Sequence, residues 1–258
     1  MAEVSIIMPS FNSERHIEES IESVINQNFT DWELLICDDY SNDKTVFTIS
    51  KYSNKDKRIK LIINNGEKGA AQARNLCLKK ASGRFISFLD SDDIWHPEKL
   101  KKQIKYMKSE NIYFCFSDYI CIDENSNYLS YLKAPKRIKF STLLYSNFIG
   151  CLTATYDSHF FGKISQPKIR KRNDYALWLK MFRRFPDTYA YSLPEPLAKY
   201  RINSYGLSSQ KLDSVIFYWL CIRLYAKKSF LRTLLLVPVY LAIIFTKKKC
   251  RRIYNSFM

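Results

Sequence analysis

Several patterns that identify common classes of protein are missing from this chain of 258 residues. None of its seven cysteines stands in a C-x-x-C pair, and the three histidines, His16, His96 and His159, are far apart. Zinc sites need ligands at closer spacing. We therefore expect no zinc site, reduced and mostly buried thiols as in a cytosolic protein, and histidines at the surface or in loops.

The glycine-rich loops that bind nucleotide phosphates are also missing. Neither G-x-x-x-x-G-K-[ST] nor G-x-G-x-x-G occurs, which disfavours P-loop and dinucleotide-binding proteins. The N-terminus has no basic segment followed by a long apolar run. We therefore interpret the apolar residues 4–8 as a strand and not as part of a signal peptide.

Acidic residues are absent from the chain after Asp213. The same part of the chain carries nine Lys and Arg residues, more than half of the formal net charge of +16. Charge of one sign concentrated in one segment indicates an anionic partner surface.

Residues 229–246 form an apolar stretch between basic clusters. A spanning helix needs roughly 20 apolar residues, whereas this stretch is shorter and contains Pro238. We therefore predict a segment in the membrane interface, held by its apolar face and by basic residues beside anionic lipid. The alternative is a buried C-terminal helix of the globular domain.

The first hundred residues alternate between short β-branched or aromatic runs and segments with helical periodicity. In 17–25 the apolar residues recur at the spacing of an amphipathic helix, with Asn12 or Ser13 as the expected cap. Such alternation predicts βαβ units and a mainly parallel sheet, with ligands at the carboxyl ends of the strands. We predict strands at 4–8, 32–37, 59–63, 84–89 and 112–122, and helices at 17–25, 44–52, 72–80, 97–107 and 174–185.

Asp90 and Asp92 directly follow an apolar predicted strand. If the extended backbone continues, alternate side chains point the same way, so that the two carboxylates can share a divalent cation. Such oxygen ligands suit Mg²⁺ or Mn²⁺, which take further ligands from substrate phosphates. The alternative is a solvated turn in which Asp92 or Asp93 caps the following helix.

Three other positions are candidates for binding or chemistry. Asp39 ends the second predicted strand, where it either binds a base or ribose or forms an Asx turn. Arg74 lies near a helix start rich in small residues, an arrangement that suits phosphate. Asp174 follows a basic run, so it either caps a helix or stays ionised and can accept a proton.

Taken in order, these pieces resemble the inverting family 2 glycosyltransferases with the GT-A fold. The matching segments are VSIIMPSFN at 4–12, ICDDYSNDKT at 36–45, NNGEKGAAQARN at 64–75, ASGRFISFLDSDDIWHPEKL at 81–100 and RNDYALWLK at 172–180. The order and spacing of five motifs is specific, although each motif alone is weak. The resemblance implies an α/β fold, a Rossmann-like and mostly parallel central sheet flanked by helices.

The resemblance also implies roles for single residues on the donor side. Pro9, Ser10 and Asn12 would lie under the nucleotide base. Asp39 would hydrogen-bond the uracil, and Arg74 would approach the nucleotide or its phosphates.

A second group of implied roles concerns the metal and the base. Asp90 and Asp92 look like the D-x-D pair of the family, with Asp92 contacting Mn²⁺ or Mg²⁺ and Asp90 near the ribose or in the metal shell. Asp174 stands where the family carries its catalytic base. Asn173 is a departure, because the family more often has Glu before that aspartate.

The implied organisation is a GT-A domain at 1–205, with a nucleotide-binding half at 1–95 and an acceptor-binding half at 96–205. A helical, membrane-associated extension would follow at 206–258. The implied activity is inverting transfer of a hexose or N-acetylhexosamine from a UDP-sugar to a polyprenyl-diphosphate-linked saccharide, as in O-antigen or capsule synthesis. Because the Q-x-x-R-W motif of processive synthases is missing, we expect a single addition. The expected location is peripheral, on the cytoplasmic side of the inner membrane, at an anionic lipid surface.

Two other functions remain as alternatives. A sugar nucleotidyltransferase shares the α/β sheet and acidic metal ligands, but usually begins with a glycine-rich basic segment, which MPSFNSERH is not. A basic protein that binds nucleic acid or membrane fits the net charge of +16. The acidic residues at the expected binding edge would repel a polyanion, so we expect no nucleic acid partner.

Overall fold

A computed structural model of the chain describes residues 2–202 and 211–255. The strands in these residues are β1 (Val4–Ser10), β2 (Trp32–Asp38), β3 (Ile59–Ile63), β4 (Phe85–Phe88), β5 (Ile94–Trp95), β6 (Phe114–Ile122), β7 (Tyr128–Leu132), β8 (Arg137–Ile138), β9 (Thr155–Asp157) and β10 (Ala190–Arg201). The α-helices are α1 (Ile17–Ile25), α2 (Thr45–Lys55), α3 (Ala70–Lys80), α4 (Lys99–Ser109), α5 (Phe140–Leu143), α6 (Ser158–Phe161), α7 (Asn173–Arg184), α8 (Lys211–Leu224) and α9 (Phe230–Asn255).

The strands form a single sheet in the order β3-β2-β1-β4-β9-β6-β10-β5, with β7 beside β6 and β8 beside β10. Strands β1 to β4 are parallel, as the alternation of strands and helices predicted. In the other half β6 and β10 also pair parallel, but the remaining strand pairs do not, so the prediction of a mostly parallel sheet is wrong for them. The short strand β9 runs antiparallel to both of its neighbours, β4 and β6, and β5, β7 and β8 also pair antiparallel.

Each strand and helix predicted for the first 122 residues is present, with bounds that differ by up to three residues. Three local predictions are wrong. The residue before α1 is His16, and neither Asn12 nor Ser13 caps that helix, because the chain makes a separate turn there with Asn12 at a positive φ of 45°. Residues 90–93 form a turn and not an extended segment. The basic, proline-containing segment 133–139 is typical of a loop in the sequence, but it contains the two-residue strand β8.

The core lies on both faces of the sheet, because alternate residues of each strand point to opposite sides. On one face Ile7, Leu35 and Phe88 pack with helices α3 and α7. On the other face Ile6 and Leu34 pack with helices α1 and α4. Both faces are therefore covered, and the ends of the strands remain as the accessible edge.

Helices α8 and α9 pack on the first of these faces. Tyr240 of α9 is buried and stacks on Tyr218 of α8, with ring centroids 3.9 Å apart and planes at 3°. The outer side of α9 is apolar and exposed at Leu231, Leu234 and Leu235. The alternative of a buried C-terminal helix is thus correct for one side of α9 only.

Within the described part of the chain, no helix combines the length and hydropathy that crossing a membrane requires. The predicted boundary at 205/206 lies outside the described residues. Strands from 1–95 and from 96–205 share the one sheet.

Candidate active site

A cleft of about 680 Å³ opens where β1, β2 and β4 end. In α/β sheets ligands bind at the carboxyl ends of parallel strands, and this cleft lies at that edge. Seven of the eight residues singled out by sequence line it: Pro9, Ser10, Asn12, Asp39, Arg74, Asp90 and Asp92. These residues are far apart in sequence, so the fold brings them together.

The loop after β1 is fixed by hydrogen bonds to neighbouring loops. The Asn12 side chain accepts from the main-chain N–H of Asn42 over 3.0 Å, and the Asn12 N–H donates to the Ser41 hydroxyl over 2.9 Å. The hydroxyl groups of Ser13 and Ser91 are hydrogen-bonded over 2.7 Å. The loops after β1, β2 and β4 are therefore held in one rigid wall.

Asp39 is buried and connects two loops of the cleft. Its Oδ1 accepts from the Asn64 amide over 2.6 Å, and its Oδ2 accepts from the Gly69 N–H over 2.7 Å. Asp39 therefore does not make the Asx turn that the sequence allowed, and the turn after β2 is held by Asp38, which accepts from the N–H and hydroxyl of Ser41. Asp39 thus holds the start of α3 against the cleft and still has lone pairs for a ligand donor.

Arg74 is buried in α3 and forms an ion pair with Asp90. Burial acts to lower the pKa of Arg74, but the Asp90 carboxylate outweighs it, and the pKa is raised above its ordinary value. A second Arg74 nitrogen donates to the Asn173 side chain over 3.3 Å. The guanidinium therefore joins the turn after β4 to the start of α7.

Residues 90–93 form a turn in which the Asp93 N–H donates to the Asp90 carbonyl over 3.1 Å. The capping alternative is wrong, because the short strand β5 and not a helix follows the turn. Asp93 is buried and accepts from the main-chain N–H of Arg201 over 2.9 Å. Burial, together with the neighbouring Asp92 and Asp90, raises the pKa of Asp93. Asp90 and Asp92 both line the cleft, although the predicted alternation of an extended strand is not the reason.

Asp174 lies just behind the cleft wall and not among its lining residues, while its neighbour Asn173 does line the cleft. Its Oδ2 accepts from the Asn147 amide over 2.9 Å. Burial raises the pKa of Asp174, although the N–H of Tyr175 and the charge of Arg74 partly oppose this effect. Asp174 is the second residue of α7 and does not cap it, since the residue before the helix is Arg172.

The carboxylate oxygens of the cleft suit a hard divalent cation that takes only some of its ligands from the protein. Among the described residues, no three His, Cys, Asp or Glu side chains are grouped as a metal cage. Mg²⁺ and related ions are often bound by one or two carboxylates, with waters and substrate phosphates completing the shell. Asp92 and Asp90 fit that arrangement, with Asp90 also engaged by Arg74.

Several residues of the cleft escaped the sequence reasoning. His16 lies in the turn before α1, as expected of a surface or loop histidine, but it also lines the cleft, with Arg15 beside it. Arg170 and Arg172 also line the cleft; the basic run was visible in the sequence, but its position was not. Arg201 does not line the cleft but is hydrogen-bonded to Asp92 and Asp93 in the turn after β4. As a lone arginine at the end of a strand, it matches no motif in the sequence.

Comparison with known proteins supplies the family. A family model described as glycosyl transferase family 2 matches residues 5–164. The Escherichia coli protein WfgD, named as a UDP-Glc:alpha-D-GlcNAc-diphosphoundecaprenol beta-1,3-glucosyltransferase, is 44% identical over 216 residues, which are 84% of this chain and 83% of that protein. WfaP of E. coli, which carries the same activity name, is 37% identical over 213 residues, 83% of this chain and 82% of that protein.

Among solved structures, S. aureus TarS 1–349 in complex with UDP-GlcNAc superposes with a TM-score of 0.71 at 21% identity, over 93% of this chain and 72% of that one. The shared architecture is the GT-A fold, an α/β sheet with its cleft at the strand ends. The chain belongs to the family 2 glycosyltransferases. The two alternatives considered from the sequence, a sugar nucleotidyltransferase and a basic protein that binds nucleic acid or membrane, do not belong to this family.

Proposed function

We propose that this protein is an inverting glycosyltransferase that adds one sugar from a UDP-sugar to a hydroxyl of a saccharide carried on polyprenyl diphosphate. The observation that carries the proposal is one cleft lined by Asp39, Arg74, Asp90 and Asp92, with Asp174 next to the lining residue Asn173. The names of WfgD and WfaP, both UDP-glucose-dependent enzymes acting on a diphosphoundecaprenol-linked GlcNAc, support this donor and acceptor class. They make UDP-glucose the first donor to test.

On the donor side, the loop after β1 and Asp39 would hold the nucleotide. Pro9, Ser10 and Asn12 provide a rigid surface for the base, and Asp39 is an acceptor for the N–H of uracil. Arg74 would approach the phosphates, since a buried guanidinium strongly favours phosphate oxygens.

Asp92, with Asp90 beside it, would hold Mn²⁺ or Mg²⁺ together with the donor diphosphate. The bound cation supplies neutralising charge to the leaving diphosphate. Asp90 can serve the ribose or the metal while Arg74 balances its charge.

Asp174 would act as the base. The acceptor hydroxyl attacks the anomeric carbon on the side away from the diphosphate; the new C–O bond forms as the bond to the phosphate oxygen breaks, and the hydroxyl proton passes to the Asp174 carboxylate. A carboxylate with a raised pKa is a stronger proton acceptor than an exposed one, and the Asn147 amide fixes its orientation. An α-linked donor would give a β-linked product.

The outer side of α9 would rest on the membrane that carries the acceptor. Leu231, Leu234 and Leu235 are exposed apolar residues on a helix whose sequence region contains no acidic residue. An apolar face with basic flanks is typical of helices that lie in the interface of anionic membranes. We propose a peripheral location on the cytoplasmic side of the inner membrane.

The test is manganese-dependent release of UDP from UDP-glucose, UDP-galactose, UDP-N-acetylglucosamine and UDP-N-acetylgalactosamine, in the presence of a GlcNAc-diphosphate-lipid. We expect turnover with one of them and a β-anomeric product by NMR. Asp92→Ala should abolish metal-dependent turnover. An α-anomeric product would reject the inverting mechanism, and full activity of Asp92→Ala would reject the metal assignment.

A further inference from the structure

We infer that Arg170 and Arg172 form a binding site for the diphosphate group of the acceptor, between the catalytic cleft and the apolar side of α9. This inference rests on the proposed function, because it names the part of the protein that recognises the acceptor's lipid-diphosphate group.

The first observation is a surplus of cations in the cleft wall. Arg15 and Arg74 line the cleft but are already engaged, Arg15 with Glu124 over 2.7 Å and Arg74 with Asp90. Arg170 and Arg172 line the same cleft, and neither forms an ion pair with any residue that the structure describes. The charge of Arg172 acts on the Asp174 carboxylate without a direct ion pair. Two arginine side chains that no described carboxylate contacts directly are a suitable site for a second anionic group.

The second observation is that Arg172 is built into the contact with α9. Its guanidinium donates a hydrogen bond to the Tyr240 hydroxyl and lies 5.3 Å from the centroid of the Tyr240 ring. Tyr240 in turn stacks on Tyr218. Arg172 is also the left-handed residue before α7, with φ of 62°. Its position is therefore set from both sides, by the turn before α7 and by an aromatic pair.

The third observation is the order in which acidic, basic and apolar side chains follow one another from the cleft to α9. Carboxylates and Arg74 lie in the cleft, the arginines follow at its wall, and the helix that Arg172 contacts exposes apolar side chains at Leu234 and Leu235. A saccharide joined through a diphosphate to a hydrocarbon chain has the same order of groups. A soluble sugar or a peptide acceptor would leave both the arginines and the apolar helix side without a function.

These arginines have one competing role, which is to bind the diphosphate of the donor. Arg74 and a cation on Asp92 already serve that group in the proposed function. The two roles make different predictions for the loss of these arginines. If they bind the donor, kcat/KM falls equally for every acceptor. If they bind the acceptor, kcat/KM falls only when the acceptor carries a diphosphate.

The experiment compares two short-chain acceptors in the full-length protein, GlcNAc-diphosphate-alkyl and GlcNAc-O-alkyl with the same alkyl chain. Arg170→Gln is the main variant, since Arg170 is exposed and its loss leaves the core unchanged. Lys168→Gln is the matched control, because it removes one charge from the same loop at a residue that pairs with Glu67 on the surface and does not line the cleft. The affinity of each protein for UDP is measured in parallel.

We expect Arg170→Gln to lower kcat/KM for the diphosphate acceptor by about tenfold, the usual effect of losing one charged hydrogen bond. The neutral acceptor and UDP affinity should change less than about twofold, and Lys168→Gln should behave as wild type. Equal losses on both acceptors, or weaker UDP binding, would overturn the inference. If the wild-type protein uses neither acceptor but transfers sugar elsewhere, the proposed acceptor class fails, and this site fails with it.

Discussion

The Nε of Arg201 donates a hydrogen bond to the main-chain carbonyl of Asp92 over 2.8 Å. The same buried guanidinium donates to the carbonyl of Asp123 over 3.0 Å and to the carboxylate of Glu19 over 2.5 Å. Arg201 also donates its main-chain N–H to Asp93. One side chain at the end of β10 therefore fixes the turn that presents Asp92 to the cleft.

We predict that Arg201→Lys weakens the binding of manganese and UDP. Lysine keeps the charge but cannot reproduce the fork of donors that joins Asp92, Asp123 and Glu19. Loss of charged hydrogen bonds at this turn should raise the donor KM by about tenfold or more. Isothermal titration with Mn²⁺ and UDP, together with donor and acceptor KM values, measures the effect.

The matched control is Arg84→Lys, since Arg84 pairs with Asp157 over 2.7 Å and does not line the cleft. That variant should leave the donor KM unchanged. If Arg201→Lys lowers thermal stability but keeps wild-type affinity for Mn²⁺ and UDP, its role is structural only, and the positioning role is rejected.

Asp174→Asn should lower kcat by about 10²- to 10⁴-fold, the usual contribution of a general base. Asparagine preserves the shape of the side chain but cannot accept the proton. UDP affinity should stay within about twofold, since Asp174 does not line the cleft where the nucleotide would bind. A comparable loss of UDP affinity would mean that the residue supports the cleft and does not act as the base.

The pH profile gives an independent check on Asp174. Burial raises its pKa above that of an exposed aspartate, and the base is active only when it is ionised. In the wild-type protein kcat should therefore decline on the acid side at a higher pH than an exposed aspartate would give. Asn147→Ala removes the amide that donates to the ionised carboxylate, so it should move this decline to still higher pH. An unmoved acid limb would argue against Asp174 as the titrating group.

The sequence predicts the position of site residues best where an aspartate directly follows a recognisable strand. Asp39, Asp90 and Asp92 were located at the sheet edge because the strands before them are short, apolar and easily recognised. The reason given for the last pair was wrong, since a turn and not an extended strand places both in the cleft. Position at the end of a strand is thus predictable, while local geometry depends on distant contacts such as that of Arg201.

The position of β9 in the sheet and the packing of α9 depend on contacts that the spacing of apolar residues in the sequence does not show. The antiparallel insertion of β9 between β4 and β6 involves only three residues, too few for a pattern. The apolar residues of 229–246 include one side of α9 that packs on the core, at Val237, Tyr240 and Ile244, and one side that does not. Because the sequence does not show which side of 229–246 packs on the core, it allowed either a buried helix or a helix in the membrane interface.

Lys99 should make stability depend on pH above neutrality. It is fully buried, with its amine near the hydroxyls of Ser87 and Thr155 and the Gln103 amide oxygen, and burial lowers its pKa to about 7. Between about 7 and the ordinary value of 10.5 the unfolded chain binds the proton and the folded chain does not. Stability therefore rises with pH in this window, by up to about 1.4 kcal/mol per pH unit.

The measurement is urea unfolding of the wild-type protein and of Lys99→Met from pH 7 to pH 10. The difference between the two slopes isolates Lys99, because other titrating groups contribute to both. Burial raises the pKa of the neighbouring Cys115 to about 12, so that thiol stays neutral throughout the window. Parallel slopes would show that Lys99 keeps its charge in the folded protein.

Leu231→Gln/Leu235→Gln should weaken binding to anionic vesicles. These side chains are 71% and 74% exposed on the outer side of α9, so their replacement removes apolar contact with lipid without opening the core. Burying a leucine contributes about 1.5–3 kcal/mol, and even partial insertion of two should make the loss at least about tenfold. Flotation with vesicles of anionic and of zwitterionic lipid, at low and high salt, measures partition.

Phe47→Gln is the matched control, because Phe47 is equally exposed, at 73%, but stands on α2 among polar residues. It should bind vesicles as the wild type does. The electrostatic contribution to vesicle binding should weaken with salt in the wild type and in both variants, since all three keep the basic residues beyond Asp213. If the double variant partitions like the wild type, α9 does not contact lipid, and its apolar side must be covered by something other than the membrane.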